Sequence, residues 1–158
     1  MKLGFSQWRS SSDSVEPVVG WKVWSVEHDG ANTRLRSALY GDVWLPGHAA
    51  EARCPRPLRT THAAPFRTCE CGIHAAKELG AWSHYLAVGD GRRVFGRVAL
   101  WGSLIEGEHG WRGEFAYPLA LYVPARVPNA AAVALGLTNY GVPVELMTVE
   151  VPTQLVAA

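Results

Sequence analysis

Residues 94–123 read VFGRVALWGSLIEGEHGWRGEFAYPLALYV, two long apolar stretches around a Gly-Glu-His-Gly turn at 107–110. In the first stretch Val94, Val98, Leu100 and Leu104 share one face and Phe95, Ala99, Trp101 and Ile105 the other, the period of two that defines a strand. Gly96 and Gly102 interrupt the first face. A glycine inside a strand marks a bulge, a bend or a close approach, so this pair predicts a strand that curves. Trp111 to Val123 returns as the antiparallel partner and stops at Pro124. The hairpin places a curved antiparallel sheet or small β-barrel at the centre of the fold.

Upstream, Gly20-Trp-Lys-Val-Trp-Ser-Val-Glu27 has the aromatic and β-branched content of another strand and runs into Asp29-Gly30, a hairpin turn signal. Further strands are expected at Thr33–Ala38 and, briefly, at Asp42–Leu45. Ala75, Leu79, Trp82 and Leu86 recur at helical spacing, which predicts a helix over 72–86. A second helix is expected from an Asn129 N-cap through Val133, Leu137 and Tyr140 to a Gly141 C-cap. Residues 142–151 close the chain as a β-like segment. The fold class is α+β, with two helices flanking the sheet.

The chain has 158 residues and a formal net charge of +1, with 48% hydrophobic and 18% charged residues. These values fit one packed domain and exclude a disordered or polybasic chain. Residues 1–16 contain Ser10-Ser-Ser-Asp-Ser14 and little to bury, so they are read as a flexible arm ahead of a single globular domain at 17–158. The first residues show no apolar run of a signal peptide, and three cysteines do not make a secreted disulfide framework. A reducing cytoplasmic location is expected. No apolar run is long enough to span a membrane.

Residues 53–67 carry three prolines and four arginines and cannot form a regular helix or a central strand. Such a loop needs an organiser. Cys54, His62, Cys69 and Cys71 fall in or beside it, and thiolate with imidazole is the donor set of a structural zinc site. His74 is an alternative to His62 as the fourth ligand. Four protein ligands would close the site, whereas three cysteines with water would leave it open for catalysis. Reduced, partly buried cysteines without metal, or a redox cysteine, are the other readings of the same residues. The His-x-Glu with Pro-Cys-x-x-Cys signature of zinc deaminases is missing, as is His-Glu-x-x-His.

The hairpin also supplies a candidate pocket. Trp101 and Trp111 stand beside glycines, with Arg112, Glu114, His109 and Tyr117 as polar partners, and aromatic walls suit a flat or cationic guest. On strand patterning alone, Trp111, Phe115 and Tyr117 form a core face and Arg112 and Glu114 a solvated one. Glu106, Glu108 and Glu114 with His109 are the one cluster suited to acid–base chemistry. Gly-x-Ser-x-Gly, phosphate-loop and dinucleotide fingerprints are missing.

The motifs Gly20-Trp-Lys-Val-Trp24, Cys69-Glu-Cys-Gly-Ile-His-Ala75, Val98-Ala-Leu-Trp-Gly102 and Gly110-Trp-Arg-Gly-Glu114 resemble those of a group of small bacterial proteins, chiefly actinobacterial, with which no activity is associated. The resemblance spans about residues 18–145. In that group an aromatic commonly stands where this chain has His74, which implies that His74 is the weaker ligand candidate.

The functional expectation is a recognition module with a zinc-ordered loop and an aromatic pocket, taking a small molecule, a nucleobase or a peptide. Arg53, Arg56, Arg59 and Arg67 are available to an anionic group or to solvent. A small hydrolase or transferase using the Glu/His cluster or an open zinc is the rival, and an interaction subunit without a pocket the third reading.

Overall fold

The computed structural model describes residues 9–56, 62–87 and 91–148, with side chains from residue 16 onward. Eight strands form one mixed sheet: β1 Arg9–Asp29, β2 Asn32–Ser37, β3 Val43–Trp44, β4 Ala50–Glu51, β5 Ile73–Ala76, β6 Arg93–Glu106, β7 Gly110–Pro124 and β8 Val144–Met147. Two helices accompany it, α1 Ser83–Ala87 and α2 Ala130–Leu137, so the α+β class holds.

The β6–β7 hairpin is the centre, as its alternation indicates. β6 pairs with β1 on one side and with β7 on the other, and β8 adds to β7 in parallel. Both glycines of β6 act as expected. A Cβ at Gly96 would lie 2.0 Å from the Ala120 carbonyl oxygen, a close strand approach. Gly102 takes φ +77° where the ladder skips a residue between Trp101 and Leu104, so a left-handed backbone conformation sets the bulge. The described pairings give a sheet in which β1, β6, β7 and β5 are joined in turn, the last link being the single pair Trp21↔Ala76.

Val23 and Trp24 are neighbours in β1 and therefore point to opposite faces. Trp24 belongs to the larger core with Leu35, Trp44, Leu100, Leu121 and, from α2, Val133 and Leu137. Val23 belongs to the smaller one with Trp82, Leu86 and Phe95. Trp24 meets Trp44 edge-on with centroids 5.3 Å apart. The Tyr140 hydroxyl, just beyond α2, donates to the Trp44 carbonyl at 2.5 Å and accepts from the Leu35 amide at 2.8 Å.

Three expectations need adjustment. The helix expected over 72–86 begins instead as strand β5, and only a 3₁₀ turn, Leu79–Trp82, and α1 follow. β7 offers a free edge here, and four residues of ladder outweigh a short helix with a glycine at position 80. The apolar stripe still buries Ala75, Trp82 and Leu86. Secondly, among the described residues backbone pairing starts at Arg9↔Glu106, within the stretch read from its polarity as an arm. A ladder uses main-chain groups, which polar side chains do not remove. Residues 1–8, with Trp8, lie outside the described residues, as do the Gly89-Asp90 turn and the end of the closing segment. Thirdly, Asn129 occupies the N-cap position of α2 with φ 54° and makes no side-chain cap hydrogen bond.

Candidate metal centre and adjoining cleft

The four candidate metal ligands are brought together by β7. Glu51 of β4 pairs with Phe115 and Ile73 of β5 pairs with Gly113, so residues 52–72 leave and rejoin the same sheet edge two positions apart. Between those pairs the Ala52 amide donates to the Glu114 carbonyl at 2.7 Å. The neck of the loop is therefore narrow, and Cys54, just after it opens, meets Cys71, just before it closes.

Cys54 Sγ, Cys69 Sγ, Cys71 Sγ and a His62 ring nitrogen all lie within 4.8 Å of one another. Cys54 and Cys69 are 3.8 Å apart sulfur to sulfur, and Cys71 Sγ is 3.4 Å from His62 Nε2. Donors held at about 2.0–2.3 Å from a tetrahedral zinc stand about 3.3–3.8 Å apart along the tetrahedron's edges. A disulfide needs about 2.0 Å between sulfurs, so these are free thiols with the separation of co-ligands. The four residues fit a metal ion. The His62 ring stacks on Phe66 with centroids 4.4 Å apart, which fixes the plane from which Nε2 points.

Arg112 holds this loop from below. It is 1% exposed, the reverse of its expected solvated position, and its Nη1 donates to the carbonyls of Cys71 at 2.7 Å, Phe66 at 3.3 Å and Cys69. Side-chain alternation misplaced it because the β4 and β5 edge carries a loop that folds back over β7. Three thiolates and a divalent zinc would leave one negative charge, which this buried cation balances. Gly72, at φ +116°, opens β5 where a Cβ would sit 2.9 Å from Pro65 Cβ and 3.1 Å from Arg112 Cβ. Only glycine fits both the backbone and the space there.

The thiols differ. Burial pushes the Cys69 thiol up, but hydrogen bonds from the Cys71 amide and from the Cys71 and Cys54 side chains outweigh it and leave Cys69 below its ordinary value. Burial pushes the Cys71 thiol up to about 11. His74 stays outside the donor group. It is 6% exposed, its Nδ1 donates to the Gly72 carbonyl at 3.1 Å, and burial first, then the charges of Lys22 and Arg112, lower its pKa to about 3. His62 takes the place that spacing left open between the two.

The hairpin residues expected to wall a pocket are placed differently. Trp101 pairs with Phe115 and stacks on it at 6.2 Å, while Trp111 lies under the Lys77 ammonium at 5.5 Å. Four residues of strand, about 13 Å, separate these two positions on β7, too far for one ligand-sized sandwich. Glu114 accepts from the Ser103 amide at 2.9 Å, Glu106 bridges Lys77 at 2.9 Å, and His109 and Glu108 are exposed with 3.9 Å between them. Tyr117 accepts from the Gly47 amide and donates to the Tyr140 carbonyl. The groups proposed for acid–base work thus hold turns and strand ends.

A cleft of about 360 Å³ opens elsewhere, beside the metal loop. Trp44, Asp42, His48, Arg53 and His74 line it, and Lys22 lies at its inner wall. Lys22 is 1% exposed. Its ammonium donates to the His74 carbonyl at 3.0 Å and sits 5.6 Å from the Trp44 ring and 5.4 Å from that of Trp82. Burial lowers its pKa to about 7, against a smaller upward pull from Asp42. Sequence reasoning passed over this residue. Its signal was position: Lys22 shares the inward phase of Trp24 within a strand that is otherwise apolar.

No family model, curated protein or solved structure matches this chain. No helix among the described residues is long and apolar enough to cross a membrane.

Proposed function

We propose that the protein is a cytoplasmic ligand-recognition module in which Cys54, His62, Cys69 and Cys71 hold one structural zinc, and the cleft beside that loop takes a small organic molecule. The observation that carries this reading is the donor set itself, whose separations of 3.8 and 3.4 Å are compatible with the edges of a zinc tetrahedron. A site with four protein ligands is closed, which favours an ordering role over chemistry at the metal. The loop it orders supplies Arg53 and Gly72 to the cleft, so the same metal would shape the ligand site.

Mixed charge in the cleft, with Asp42 and Glu51 beside Lys22 and Arg53, and a net charge of +1 favour a small molecule over a nucleic-acid backbone. Trp44 offers a ring for a flat or apolar portion of that guest.

Elemental analysis of protein purified without added metal tests the reading. One zinc per chain, lost in Cys69→Ser, is the expected result. A metal-free chain with the loop ordered, seen as unchanged hydrogen exchange over 62–72, would overturn it.

A further inference from the structure

Lys22 is the one nucleophilic side chain of the cleft that is both fully buried and in contact with its inner wall. Buried lysines ordinarily meet a carboxylate, yet among the described residues no Asp or Glu oxygen lies within ion-pair distance of this amine. Its hydrogen-bond acceptor is a main-chain carbonyl, and its flanks are the rings of Trp44 and Trp82. These neighbours hold the nitrogen in place without neutralising a charge on it.

We propose that the Lys22 amine captures a small aldehyde or ketone in this cleft as a Schiff base. The inference rests on the reading of the cleft as the ligand site and names the chemical class of its guest. The amine lone pair attacks the carbonyl carbon, and the carbonyl oxygen takes up a proton to give a carbinolamine. Loss of that oxygen as water then forms the C=N bond, so that amine and carbonyl give imine and water with no oxidant or reductant consumed. Asp42, which lines the same cleft and exerts an upward electrostatic pull on Lys22, is the carboxylate assigned to carry the proton from the amine nitrogen to the oxygen.

An ordinary lysine is almost wholly protonated at neutral pH and reacts slowly with carbonyls. Desolvation among Trp44, Trp82 and the β5 backbone removes that obstacle at Lys22, as the lowered pKa of about 7 reflects. The groups that face it are Asp42 from the β2–β3 turn and His74 from β5, while Tyr40, His48, Glu51 and Arg53 line the rest of the cleft. Of the two charged or titratable groups that face it, Asp42 raises the amine's pKa and the neutral His74 ring adds no charge. The cleft volume of about 360 Å³ accommodates a molecule the size of a benzene ring with a few substituents.

The experiment incubates the zinc-loaded full chain with benzaldehyde and cyanoborohydride at pH 7.5 and maps the reduced adduct by peptide mass spectrometry. Lys77 and Lys2 serve as internal references within the same molecule. The expected result is labelling at Lys22 at least about tenfold faster than at Lys77, rising with pH to a midpoint near 7. Equal or slower labelling at Lys22 overturns the proposal, and because it is read in the unsubstituted chain, no variant has to fold. Lys22→Arg should abolish the fast adduct and leave the labelling of Lys77 unchanged. Benzaldehyde that quenches tryptophan fluorescence saturably without a Lys22 adduct would reject the Schiff base and keep the cleft. Neither quenching nor adduct would reject both.

Discussion

Arg112 Nη1 donates to the carbonyl of Cys71 at 2.7 Å, joining a buried cation on a central strand to the backbone of a candidate metal ligand. The same nitrogen reaches the carbonyls of Phe66 and Cys69. One side chain thereby fixes the path of the loop over which three of its donors are distributed. Arg112→Met should weaken zinc binding by about 10–100-fold, as loss of a supporting group around a metal site commonly does. Arg112→Lys should rescue little of it, because an ammonium cannot reproduce the planar fork. Competition with a chromogenic chelator measures both.

His74 gives the fold an acid limit. It is neutral in the folded protein down to about pH 3, whereas in the unfolded chain it takes up a proton below pH 6.5. Its contribution is therefore fully present above pH 6.5 and is lost as pH falls toward 3, by up to about 5 kcal/mol. Denaturant melts of metal-chelated protein should show this slope, and His74→Phe should flatten it. An unchanged slope in the variant would assign the acid sensitivity to other groups.

Lys22 acts at the opposite end of the scale. Its folded pKa of about 7 lies below the ordinary 10.5, so the fold disfavours the charged form. The unfolded chain binds more protons between these values, and stability from this group rises with pH across that window. Lys22→Met removes the titration. Its stability relative to the parent should be greatest at pH 7 and below, and the gap should narrow steadily toward pH 10. A gap that widens with pH would contradict the burial argument.

Tyr140→Phe isolates one hydroxyl that joins α2's end to β2 and β3. Its loss leaves the Leu35 amide and the Trp44 carbonyl without this partner in a buried setting. A cost of about 1–3 kcal/mol is expected from thermal or denaturant unfolding. Tyr117→Phe, whose hydroxyl bonds reach the more open Gly47, should cost less.

The central hairpin was legible because both faces of β6 are marked, by Val98 and Leu100 on one and Phe95 and Ala99 on the other, and the turn is short. The four candidate metal ligands were legible by type, although the choice between His62 and His74 depended on a loop path no spacing encodes. Strand β5 was misread as helix because Ala75, Leu79, Trp82 and Leu86 keep helical spacing while the free edge of β7 decides the conformation. Arg112 was misread for a related reason, since alternation along β7 does not reveal what covers its other side. Lys22 left one trace, its inward phase shared with Trp24, but the cleft itself was not legible. The cleft is assembled from β1, the β3–β4 region and the start of β5, which are distant in sequence. Arg59 lies outside the described residues, so its expected role is not placed.

Because β4 and β5 follow one another along the same edge of β7, separated only by the position of Glu114, they behave as a single strand with a 21-residue cassette, 52–72, spliced into it. The ladder on either side is complete without the cassette's interior, and among the described residues the cores around Trp24 and Val23 draw nothing from 52–70. Chelation should accordingly melt the cassette while the sheet stays folded, and a chain joined directly from Glu51 to Ile73 through a short linker should still form the β6–β7 hairpin and its partners. Such a shortened chain would separate the scaffold from the candidate metal loop and provide a reference for the cleft without it.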